Sequence, residues 1–137
     1  MQLGWLDTNV FVHALQPNDR EYARSRAVLD ALADGRAEGW LSPLVAHELT
    51  YVLRRFSAYQ TRAAIQTDLL AILDNPNVRV EDKPLLIAAV TRWAVGASIA
   101  FVDAYLAELA QRDAAPVCSA NTRDFTTTPN SYVTAVL

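Results

Sequence analysis

The 137 residues are 52% hydrophobic and 20% charged, with 12 basic and 15 acidic side chains and a net charge of −3. That length and apolar content suit one domain with a buried core and exclude a disordered chain. The negative balance argues against a protein that coats nucleic acid through bulk charge, and no apolar run approaches the roughly 20 residues of a membrane-spanning helix.

Gln2 to Leu6 reads as a short buried strand, because the apolar run is too brief for a helix. Asp7-Thr8-Asn9 interrupts it, and Asn9 to Leu15 then predicts a first helix stopped by Gln16-Pro17-Asn18. No basic region precedes the early apolar stretch, so a signal peptide is not expected. Asp19 is placed to cap a second helix with Tyr22, Ala23, Val28, Leu29 and Leu32 inward, ending near Gly35 and Gly39. "EGWLS" predicts a second strand, and Ser42-Pro43 a helix start, since Ser accepts from free amides and Pro fits the first turn. The helix that follows, "LVAHELTYVLRRF", carries Val45, Leu49, Val52, Leu53 and Phe56 on its apolar face.

Gln60 to Leu73 predicts another helix, ended by Asp74-Asn75-Pro76, and "NVRVED" a third strand. Pro84 opens a helix through Ala94 that Gly96 breaks. Phe101 to Arg112 predicts a further helix with Val102, Tyr105, Leu106 and Leu109 inward. "APVCSA" reads as a fourth strand, with Cys118 as plain core, and "YVTAV" as a fifth. Strands alternating with helices imply an α/β fold with a mainly parallel central sheet in a single domain, residues 1–137. Cys118 is the only cysteine, so it cannot form an internal disulfide, and it suits a reducing cytoplasm.

In such a sheet ligands bind beyond the carboxyl ends of the strands. Asp7 stands at the end of the first strand, and Asp124 follows the "PVCSA" strand in "SANTRDF". Glu48 lies one turn into the Ser42 helix, on a stripe with Leu44, Tyr51 and Arg55. Asp103 begins the Phe101 helix among apolar residues. Neither stripe is plainly solvent-facing, and a carboxylate beside core residues is costly without a partner. Singly, each acid has a plain explanation: Asp7 as a helix cap, Glu48 paired with Arg54 or Arg55, Asp103 facing a helix dipole, Asp124 in a turn. Together, four acids flanked by apolar residues suit a shared hard cation, Mg²⁺ or Mn²⁺, and the chemistry that suits is phosphodiester hydrolysis.

At these residues the sequence resembles the PIN-domain nucleases, and within them the VapC-type toxins of bacterial toxin–antitoxin pairs. "LDTNVFVHAL" is similar to the opening strand and its Asp. "SPLVAHELTYVL" resembles the Glu-bearing helix, "FVDAYLAELA" the helix of the third acid, and "SANTRDF" the closing motif. The resemblance implies a three-layer sandwich whose mainly parallel sheet of about five strands is flanked by helices. It implies Asp7, Glu48, Asp103 and Asp124 as catalytic, metal-binding acids, with Thr8 and Asn9 shaping the first loop and Ser119 and Asn121 the last. It further implies a cytoplasmic endoribonuclease dependent on Mg²⁺ or Mn²⁺, acting on RNA, restrained by a cognate antitoxin protein, homodimeric and unattached to membrane. The departure is at Asn121, where many relatives carry Asp; the fourth acid is therefore placed at Asp124.

Two other readings remain at this stage: a non-catalytic or decayed PIN-like interaction module, and an aspartate-based phosphotransferase. The phosphotransferase wants a second Asp two residues after the first, where this chain has Asn9. No His-x-x-x-His pair and no second Cys exist for zinc, so His13 and His47 read as packing or surface residues. Trp5, Trp40 and Trp93 are expected in the core. The Arg excess, eleven of twelve basic residues, fits either a base-composition bias or a few guanidiniums placed to guide an anionic partner.

Overall fold

The computed structural model describes residues 1–126 and Thr128. Cα packing divides the chain into two compact units, Met1–Lys83 and Pro84–Leu137. In the first unit, β1 (Gln2–Trp5), β2 (Glu38–Trp40) and β3 (Val78–Arg79) form a parallel sheet in the order β1-β2-β3. Parallel neighbours need crossover connections. Here α1 (Thr8–Ala14) and α2 (Tyr22–Ala33) supply the first, and α3 (Pro43–Val52) and α4 (Arg62–Asp74) the second.

β2 pairs with both neighbours, matching Trp40 to Trp5 and to Arg79. Its Gly39 is required by close approach: a Cβ there would stand 3.0 Å from Leu6 Cγ and 3.1 Å from the Gly4 carbonyl oxygen. Phe11, Leu32, Leu49, Ile65, Leu69 and Val78 fill the core of this unit. The helix starts follow side-chain chemistry at Ser42, whose Oγ accepts from the Leu44 amide at 3.2 Å, and at Thr61, which accepts from Ala64 at 3.2 Å. Asp19 does not cap α2. Its carboxylate accepts from the Glu21 amide at 2.7 Å and meets His13 Nδ1 at 2.8 Å, so the helix begins later and Ala23 is exposed.

The second unit contains α5 (Lys83–Val95) from Pro84 onward, α6 (Phe101–Asp113) and a 3-10 turn, Thr122–Phe125. α5 ends at Val95, just before Gly96, where an added Cβ would run into Ile99. Arg92 Nε donates to Glu108 Oε1 at 2.8 Å, tying α5 to α6 through a half-buried ion pair.

Five expectations are corrected here. α6 turns Phe101, Ala104, Ala107 and Ala110 inward and leaves Val102 and Leu106 exposed; the small residues form an equally regular stripe, so periodicity alone cannot choose between the two. The α/β class with a parallel sheet holds, but the described residues give three strands, not about five. "APVCSA" yields one bridge residue, Cys118. Ala114 is left-handed at φ 50°, Pro116 has no amide to donate, and only Val117 of the segment is buried, which limits pairing to the one bridge among the described residues. Cys118 itself is exposed rather than core, and Trp5 is 73% exposed where a core position was expected. The "YVTAV" strand lies outside the described residues. Among those described, no helix is long and apolar enough to cross a membrane.

Candidate functional site

In the first unit the interrupted apolar run resolves into a cap and a tether. β1 ends at Trp5, Leu6 is buried, and Asp7 stays extended at φ −83°, ψ 154° while its carboxylate accepts from the Thr8 amide at 2.7 Å. Thr8 is 6% exposed, and its hydroxyl donates to Glu48 Oε2 at 2.8 Å. A hydroxyl buried at the start of α1 thus holds a carboxylate on α3, across 40 positions of sequence. Asp7 and Asn9 are exposed, and so is Glu48, contrary to the expectation that its stripe faces partly inward. Its neighbours on that stripe, Leu44 and Tyr51, are 75% and 72% exposed. Among the described residues Glu48 has no ion pair with Arg54 or Arg55.

The second unit holds the other acids. Asp103 sits in the first turn of α6 and Asp124 in the 3-10 turn, both partly buried. Burial first, and the charge of Asp124 second, push the Asp103 carboxyl above the usual range. Asn121 Nδ2 donates to Asp124 Oδ2 at 2.8 Å, and Ser119 Oγ accepts from the Asn121 amide at 3.0 Å. Ser119, Asn121 and Asp124 are therefore one hydrogen-bonded series, in which the amide aims the acid. The turn is seated by Phe125, buried in a cluster with Ala107, Ala110 and Val117.

Sequence reasoning named these acids but missed what holds two of them. The pairing of Thr8 with Glu48 has no sequence signature beyond two polar residues set among apolar ones. Among the described residues, no group of three or more His, Cys, Asp or Glu side chains is spaced to hold a metal ion. The donors within each unit are nevertheless oxygens, which suit a hard divalent cation, and the like-charged Asp103 and Asp124 are a pair that a cation would relieve. A cavity of about 260 Å³ in the first unit is lined by Phe11, Leu29, Leu32, Ile72 and Val78 with Arg26 and Asp30; none of the four acids lines it.

The model of the PIN domain family matches residues 5–130. The chain belongs to the PIN domain family. Such domains are in general nucleases that use divalent metal ions. Among solved structures, VapBC2 from Rickettsia felis bound to a DNA fragment from its promoter is 20% identical, with a TM-score of 0.37 and coverage of 98% of each chain. FitAcB from Neisseria gonorrhoeae is 22% identical, with a TM-score of 0.34 and coverage of 96% of this chain and 97% of that one. No curated protein matches.

Proposed function

We propose that this PIN domain is a metal-dependent endoribonuclease and the toxin of a toxin–antitoxin pair, acting on RNA in the cytoplasm as a homodimer that a cognate antitoxin protein restrains. The observation that carries the metal-dependent chemistry is Asp103: a partly buried carboxylate set against a second one, Asp124, which an amide in turn holds in place. A structural role gives no reason to keep two acids repelling each other. The toxin assignment rests on family membership and on the four motifs occurring in order along the chain.

Asp7, Glu48, Asp103 and Asp124 are the carboxylates that would hold Mg²⁺ or Mn²⁺. Bound there, such an ion would supply Lewis acidity to a phosphodiester and to water. Thr8 restricts the Glu48 carboxylate to one orientation, and Asn121 does the same for Asp124, so the oxygens are set before substrate arrives. Asp7 keeps one oxygen on the Thr8 amide, leaving the other for a ligand.

The test is cleavage of a mixed RNA pool by purified protein with Mg²⁺, with Mn²⁺ and with chelator, alongside Asp7→Asn and Asp103→Asn. Cleavage that needs the metal and is lost in both variants supports the reading. Cleavage that survives either substitution removes that residue from the site, and metal binding without cleavage of any RNA favours a non-catalytic module. Co-expression with the product of the adjacent gene tests the antitoxin: growth arrest that this product relieves is the expected result.

A further inference from the structure

The face of α3 that carries Glu48 continues past it. Leu44, Glu48 and Tyr51 follow at helical spacing, and the chain then tightens into a 3-10 turn, Leu53–Arg55. Leu53 is fully buried and pins that turn, which leaves Arg54 and Arg55 on the outside. Tyr51 is 72% exposed. Among the described residues its ring stacks on nothing and its hydroxyl makes no hydrogen bond, whereas the other highly exposed aromatic, Trp5, is stacked against Trp40.

The guanidiniums stand out in the same way. Among the described residues, Arg20, Arg24, Arg26, Arg36, Arg79, Arg92 and Arg112 each pair with a carboxylate. Arg54 and Arg55 have no ion pair among the described residues. In a chain of net charge −3 this is a local excess of cation beside an exposed ring. That complementarity selects a polyanion carrying flat apolar groups, which describes a single strand of nucleic acid: phosphates meet Arg and bases stack on aromatic rings.

We propose that Tyr51, Arg54 and Arg55 seat the RNA strand beside the Thr8–Glu48 link, the phenol ring stacking on a base and the two guanidiniums holding phosphates. The proposal rests on the RNA-cutting reading above. Arg55 lies about 11 Å along the helix axis from Glu48, so the guanidiniums grip the strand away from the scissile phosphate, while Tyr51 stands one turn, about 4.5 Å, from Glu48. They set affinity and register and take no part in bond breaking.

The test is fluorescence anisotropy with a short labelled single-stranded RNA of mixed sequence. It uses the full chain in a Glu48→Gln background that leaves the strand intact, and adds Tyr51→Ser, Arg54→Gln/Arg55→Gln, or Arg24→Gln as a paired-surface control. All substituted side chains are exposed, and circular dichroism checks the fold. Tyr51→Ser should weaken binding roughly 5- to 150-fold. The double Arg variant should lower the slope of log affinity against log salt by about 1.4. In the otherwise native enzyme both should raise KM more than they lower kcat, and Arg24→Gln should change nothing. RNA bound and cut normally by both variants overturns this proposal and leaves the ribonuclease reading standing. Unsubstituted protein that neither binds nor cuts RNA overturns both. Variants that lose dimerisation or antitoxin binding at unchanged RNA affinity assign the face to a protein and overturn the proposal.

Discussion

Thr8→Val is the most direct probe of the tether between α1 and α3. The two side chains have nearly the same volume, so only the hydroxyl is lost, from a position 6% exposed. Its bond to Glu48 Oε2, at 2.8 Å, joins a neutral donor to an acidic acceptor, a class worth about 1.5–3 kcal/mol. Glu48 is exposed, so water can take over the abandoned oxygen, which places the loss near the bottom of that range, about 1.5 kcal/mol. For a chain of 137 residues this lowers Tm by about 5 °C. Thermal unfolding followed by circular dichroism measures it, with Thr8→Ser expected to restore most of the loss. A double-mutant cycle with Glu48→Ala isolates the pair: in that background Thr8→Val should cost close to nothing. Cleavage should fall further than stability, because Glu48 is then free to rotate. A full Tm loss that persists without the Glu48 carboxylate would refute the tether and place the effect in packing around α1.

The raised pKa of Asp103 means that the folded protein holds that proton more tightly than the unfolded chain does, so the ionised carboxylate costs stability. This cost is absent below the unfolded pKa and complete above the folded one. Asp103→Asn should therefore stabilise metal-free protein slightly at neutral pH, by under about 1 kcal/mol for a partly exposed group, and the gain should vanish as pH falls through the carboxylate range. A gain that ignores pH in thermal melts rejects the assignment. Asn121→Ala should weaken Mn²⁺ binding by calorimetry about 10- to 100-fold through release of Asp124, and Asp124→Ala should weaken it more; a reversed order would make Asn121 the ligand. Tyr59 is 7% exposed and its hydroxyl donates to Asp68 Oδ2 at 2.5 Å, so Tyr59→Phe should cost about 1.5 kcal/mol in urea unfolding with cleavage intact. Unchanged stability would show that this bond only replaces one to water.

What could be read from the sequence was local chemistry with a single outcome. Ser42-Pro43 can hardly do anything but start a helix, and Asp7 interrupts an apolar run so abruptly that a cap or ligand role is forced. Asp19 had two outcomes, since a carboxylate that close to a helix start can cap it or fold onto an earlier amide, and His13 drew it to the second. The inward face of α6 was illegible because Ala104, Ala107 and Ala110 repeat as regularly as Val102, Leu106 and Leu109. The Thr8–Glu48 bond depends on where two helices cross, which no spacing along the chain encodes. Asn121, read as a departure from the usual acid, serves as the donor that orients Asp124.

Trp5 and Trp40 are register partners on adjacent strands, their ring centroids 6.1 Å apart and their planes tilted by 37°. Indoles that close couple their electronic transitions, so the end of the sheet that leads into Asp7 carries its own circular-dichroism couplet. The third tryptophan, Trp93, is buried in the other unit. Trp5 and Trp40 also fluoresce, so emission mixes both units, whereas the couplet arises in Met1–Lys83 alone and its loss follows that unit without any label being added.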